Sequence, residues 1–142
     1  MCYSVYISTD SPENLSSKNT ELLLLKKVGS KTEDSSISLL SYPNIWYAGS
    51  HHQCSCGFRH IMSEELGFSE PVDWYEEESE DIEATKQFYR IIKEQIDRGF
   101  KIDIVDKWEG TELNSIKRLE VNLSQVSENE FRFFENYLFE II

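Results

Sequence analysis

The sequence has no long hydrophobic run. Leu22–Leu25 is as long an uninterrupted apolar stretch as any, far short of the roughly 20 residues a membrane-spanning helix needs, so no membrane span is expected. Basic residues are also scarce, 14 Lys and Arg against 26 Asp and Glu, for a formal net charge of −12. Nucleic-acid binding relies on Lys and Arg displacing counterions from phosphates, so nucleic acid is not an expected partner. This charge would suit a basic protein partner, although acidity that simply keeps the chain soluble is the plainer reading.

Cysteine is limited to three, an odd number, and Cys54 and Cys56 lie too close together to staple a fold. No charged-then-apolar leader precedes the first strand-like run. These absences favour a reducing, cytoplasmic setting, where closely spaced Cys points to metal or redox chemistry rather than structural disulfides. A Gly-rich phosphate loop, a Gly-x-Ser-x-Gly elbow and a His-Glu-x-x-His helix are all missing. A phosphatase-type cradle needs five residues between its Cys and its Arg, whereas Cys54 and Arg59 enclose four and Cys56 and Arg59 two. There is no internal repeat and no domain boundary. Residues 1–142 therefore read as a single domain, of a size that folds without a staple.

Periodicity supplies the elements. Cys2–Ser8 alternates as a strand, with Tyr3, Val5 and Ile7 on one face and Cys2, Ser4 and Tyr6 on the other. Ser11 and Pro12 then suit the start of a short helical turn. Leu22–Val28 and Ile37–Tyr42 read as strands joined by a Gly29–Ser36 loop, and Pro43-Asn44 turns the chain into the β-rich Ile45–Ala48. A short helix fits Ser63–Gly67, followed by a surface connection from Phe68 to Glu80. The clearest element is a helix over Asp81–Arg98, where Phe88, Tyr89, Ile92 and Ile96 form one stripe. Arg90–Glu94 and Glu94–Arg98 are spaced as i,i+4 pairs on its wet side, and Gly99 stands at its C-terminal cap. Phe100–Val105 alternates as a half-buried strand, with Leu119, Val121 and Leu123 expected as its antiparallel neighbour. Ser127 and Glu130 make a capping box, with Val126 and Phe131 placed as a staple, and so predict a helix. Tyr137–Ile142 reads as a closing strand, with a helix fitting nearly as well. The sum is an α+β domain with a mainly antiparallel sheet, packed by one long and one or two short helices.

Chemistry concentrates in one decapeptide, His51-His52-Gln53-Cys54-Ser55-Cys56-Gly57-Phe58-Arg59-His60. His52, Cys54, Cys56 and His60 form a candidate metal set, with His51 and Cys2 as further ligands, and zinc is the ion that thiolate and imidazole favour. Structural zinc sites usually draw ligand pairs from two segments, and only one such segment is present here. His60 could return to the Cys pair if Gly57 allows a tight turn, and a fourth ligand could come from a distant strand, where Cys2 is the only other Cys. The same residues can be read as redox or nucleophilic thiols, with Cys54, Cys56 and Arg59 as the catalytic candidates and His52, Arg59 and His60 favouring the thiolate. The plainest reading is a structural loop whose thiols are inert, since free Cys often behaves as a small hydrophobe. The deciding question is whether Cys2 or His60 comes within reach of Cys54 and Cys56.

Two other features have ordinary explanations. The acidic run Glu76–Asp81 with Glu83 suits a solvated leader whose charges favour a helix start. Trp46, Tyr47, Trp74, Tyr75 and Trp108 could line a groove, but aromatics at strand ends are usually core. Tyr47-Ala48-Gly49-Ser50, Cys54-Ser55-Cys56-Gly57-Phe58-Arg59-His60, Glu70-Pro71-Val72-Asp73-Trp74-Tyr75 and Asp81-Ile82-Glu83-Ala84-Thr85, with Met1-Cys2-Tyr3 and Phe131-Arg132-Phe133-Phe134-Glu135 at the two ends, give the chain a pattern of its own. In these residues it resembles a group of small uncharacterised bacterial proteins. The resemblance implies a stand-alone bacterial domain and carries over no activity and no residue role.

Overall fold

The computed structural model describes residues 2–29, 34–51, 54–61, 67–72 and 77–142. A six-stranded sheet runs through the domain, built from β1 (Tyr3–Thr9), β2 (Leu23–Lys27), β3 (Asn44–Ser50), β5 (Ile102–Trp108), β6 (Lys117–Val121) and β8 (Tyr137–Ile141). Its order is β2-β3-β1-β5-β8-β6. Every neighbouring pair is antiparallel except β6 and β8. A separate parallel pair joins β4 (His60–Ile61) to β7 (Phe133–Phe134). With one long helix, α1 (Ser79–Asp97), the chain is an α+β protein. No described helix is long and apolar enough to cross a membrane.

Alternation decides what each sheet face covers. Val5, Ile7, Trp46, Ala48, Ile102, Ile104, Phe139 and Ile141 point to one side, where they meet Ala84, Phe88, Ile91 and Ile92 of α1 and the buried Phe131 and Phe133 in the main core. Tyr6, Val105 and Leu138 point to the other side, under Ile37, Leu39 and Leu40. The helix follows from its sequence: Glu80 and Asp81 occupy its first turn, where acids suit the dipole, and Gly99 takes φ +90 just past its end. Glu94 pairs with Arg98 at 2.9 Å, while Arg90 turns instead to Glu128 at 2.9 Å and Glu83 at 3.6 Å.

Several elements differ from the sequence expectation. Residues 37–42 are not a strand, because Ser35–Leu39 winds into a 3-10 turn capped by Asp34 through the Ser36 amide at 2.9 Å. That turn lays its apolar side chains on the second sheet face without joining the sheet. The capping box closes one bond, with the Ser127 amide donating to Glu130 Oε1 at 3.1 Å. No helix follows, because Phe131, Phe133 and Phe134 are drawn into the core and the last two of them form β7. Finally, β6 is parallel to β8 and does not neighbour β5. The short N-terminal turn is Leu15–Lys18, capped by Asn14 rather than Ser11. Residues 63–66 of the expected short helix lie outside the described residues.

Candidate metal centre

The decapeptide follows directly on β3 and is closed by Ser50. The Ser50 amide and hydroxyl both donate to the Cys54 carbonyl at 2.7 Å. The same hydroxyl accepts the Gly57 amide at 3.0 Å, which rolls Ser55–Gly57 into a 3-10 turn. Ser55 is fully buried and stitches this turn to the sheet, its Oγ accepting from the Val5 amide at 2.9 Å and donating to the Ala48 carbonyl at 2.6 Å. Glycine at position 57 is a matter of space. A Cβ there would collide with Ser50 Oγ and lie 2.8 Å from both Ser50 Cβ and His51 Cε1. Gly57→Ala is therefore expected to cost about 1–3 kcal/mol, as overpacking does, read as a lowered urea midpoint.

The second sulfur-bearing segment is the entrance to β1. Tyr3 pairs with Trp108 at the end of the β1–β5 ladder, and Glu109 fixes the residue before it. The Glu109 amide donates to the Cys2 carbonyl at 3.0 Å, and the Cys2 amide donates to Glu109 Oε2 at 3.2 Å. Since β1 lies between β3 and β5, Cys2 arrives beside the turn that follows β3. The Sγ atoms of Cys2, Cys54 and Cys56 all lie within 4.8 Å of one another. All three are free thiols, Cys2 exposed and the other two half-buried. The Tyr3 amide donates to Cys56 Sγ at 3.4 Å. Burial pushes the Cys56 thiol up to about 12, and the neighbouring thiols of Cys2 and Cys54 add to this against the Tyr3 amide.

The histidines part company. His52 lies outside the described residues. His51 sits with Glu78 and Asp81 at the start of α1, its Nε2 3.7 Å from Asp81 Oδ1. His60 turns inward: Nδ1 is 2.8 Å from Asp106 Oδ2 and Nε2 is 2.6 Å from the Ser55 carbonyl. The His60 ring stacks on Tyr3 with centroids 3.8 Å apart and planes 7° from parallel. Asp106 shares a strand face with Ile102 and Ile104, so it is an acid set into an apolar stripe. That break in the alternation is the one sequence signal that could have identified it.

The Arg59 guanidinium is buried and committed elsewhere. It pairs with Glu77 and donates to the carbonyls of Asn129 at 2.9 Å, Phe131 at 3.2 Å and Ser69 at 3.1 Å. None of these contacts is to a sulfur. Trp46 is core, and Trp108 packs edge-on against Tyr3; Trp74, Tyr75 and Glu76 lie outside the described residues. Comparison with known proteins gave no match: no protein-family model, no curated protein and no solved structure proved similar to this chain.

Proposed function

We propose that this protein binds a thiophilic metal ion, zinc in the first place, through Cys2, Cys54 and Cys56. The observation that carries the reading is the convergence of three sulfurs from two distant segments to within 4.8 Å. In a zinc–thiolate tetrahedron of about 2.3 Å bonds the sulfurs stand about 3.8 Å apart, so the three need only draw together slightly around an ion. They supply three corners, and the fourth is left to a further ligand. The amide donated to Cys56 Sγ suits a metal-bound thiolate, which accepts hydrogen bonds more strongly than a thiol.

The alternative, thiol redox chemistry, is less well supported. The Cys56 thiol, pushed up to about 12 by burial, is a poor nucleophile at neutral pH, whereas a metal ion displaces the proton directly. The reading belongs with a reducing, cytoplasmic setting in a bacterial cell, where unpaired thiols persist. Neither nucleic acid nor a membrane enters it.

Zinc titration of the metal-free, untagged chain, with competition against a chromogenic chelator, tests the proposal. Wild type is expected to take up one equivalent. Cys2→Ser, Cys54→Ser and Cys56→Ser are each expected to weaken binding at least about tenfold, since each removes a thiolate that zinc prefers. Substoichiometric uptake, indifferent to all three substitutions, would refute it.

A further inference from the structure

Resting on the metal reading, we propose that His60, held by Asp106, is the positioning residue of the three-thiol site and not one of its ligands. Its ring touches both sulfur-bearing segments. On one side it stacks on Tyr3, which follows Cys2 in the chain and whose amide donates to Cys56 Sγ. On the other, Nε2 meets the carbonyl of Ser55, the residue between Cys54 and Cys56. Nδ1 and Asp106 fasten the ring to β5, while the pairing of His60 with Phe133 fastens its backbone to β7.

The proton inventory follows from the partners. A backbone carbonyl can only accept, so Nε2 carries a hydrogen and has no lone pair for a metal. A proton between Nδ1 and Asp106 Oδ2 joins the ring to the carboxyl group and holds its orientation. The ring is the end directed at the turn, and the carboxyl group lies beyond it.

Stability alone gives little reason for such a pair, because a well-packed apolar pair in the same space commonly serves as well. What apolar packing lacks is direction. A hydrogen bond to the Ser55 carbonyl fixes the rotation of the peptide between the two Cys, and the flat stack on Tyr3 fixes the amide that reaches Cys56. Oxygens and rings around metal ligands act in this way when they orient the atoms that bind the ion.

The test uses the full chain as wild type, His60→Gln and Asp106→Asn, the last being nearly isosteric and the variant expected to fold in any case. Each is titrated with zinc against a chelator and with cobalt(II), whose d–d bands report the geometry of the site; thermal unfolding is followed separately in chelator. Both variants are expected to bind zinc about 10- to 100-fold more weakly and to shift the cobalt bands, His60→Gln more than Asp106→Asn. Wild-type affinity and cobalt spectra in both, with only the metal-free melting temperature lowered, would overturn the inference and leave the metal site standing. Failure of wild type itself to bind zinc or cobalt would remove the metal reading and this inference together.

Discussion

Asp106→Ala is expected to destabilise the metal-free protein by about 3–5 kcal/mol, the cost of leaving one half of a buried ion pair behind. The His60 and Asp106 side chains are 6% and 3% exposed, so water cannot replace the lost partner. Truncation strips His60 Nδ1 of its carboxylate in a pocket walled by Tyr3, Phe58 and Phe133. The loss should depend on pH, and the sign is fixed by His60. Burial works against its charge, but the Asp106 carboxylate and the Ser55 carbonyl outweigh it and hold the imidazole above its ordinary value. The folded state therefore binds this proton more tightly than the unfolded state, whose imidazole titrates near about 6.5. The contribution is complete below that value and is lost as pH rises through the folded pKa. The gap between wild type and Asp106→Ala should accordingly be widest in mild acid and narrow toward alkaline pH. The comparison starts above the carboxylate range, because burial holds Asp106 itself above its usual value despite the pull of His60. Urea denaturation across the range checks this, and a gap that stays constant or widens with pH would contradict it.

Arg59→Ala carries an expected loss of similar size, about 3–5 kcal/mol, by a different route. The Arg59 side chain is 1% exposed and that of Glu77 9%. One planar fork serves this carboxylate together with the carbonyls of Ser69, Asn129 and Phe131. Removal leaves a shielded charge without its counterion and three carbonyls short of a donor, each shortfall costing on the order of 1 kcal/mol or more. Arg59→Lys should recover only a small part, because an ammonium on a flexible stem cannot span the fork. Equilibrium unfolding of both variants decides, and an alanine variant within about 1 kcal/mol of wild type would mean that these bonds do not hold the segment. Zinc affinity measured in conditions where Arg59→Lys stays folded should remain near that of wild type, since none of the Arg59 contacts reaches a sulfur.

Much of the frame is legible in the chain. The stripe Phe88, Tyr89, Ile92 and Ile96 defines α1, and the alternation of residues 3–7 and 102–105 defines β1 and β5, because helical and strand periods are set by backbone geometry alone. Local signals misled where a long-range contact competed with them. Ser127 and Glu130 do form the hydrogen bond of a capping box, yet a box is worth one turn, and burying Phe131, Phe133 and Phe134 outweighs it. Ile37, Leu39 and Leu40 are as apolar as a strand requires, yet what they cover is the far face of a sheet whose hydrogen bonds are already made. There a 3-10 turn satisfies the backbone locally and still buries the side chains.

The candidate site divides in the same way. Taken alone, the sequence determined which groups are present: two closely spaced Cys, a third at the start of an alternating strand, and histidines beside them; the turn at Cys54–Cys56 and the place of Asp106 came from the fold. Their assembly was decided only in the tertiary structure. Cys2 reaches Cys54 and Cys56 because β1 lies between β3 and β5, and His60 faces Asp106 and Ser55 because β4 is pinned by β7. Side-chain parity along a strand follows from local geometry, so the sequence can state it. Strand order and register depend on the summed burial and hydrogen bonding of segments far apart in the chain, and only the folded molecule settles them.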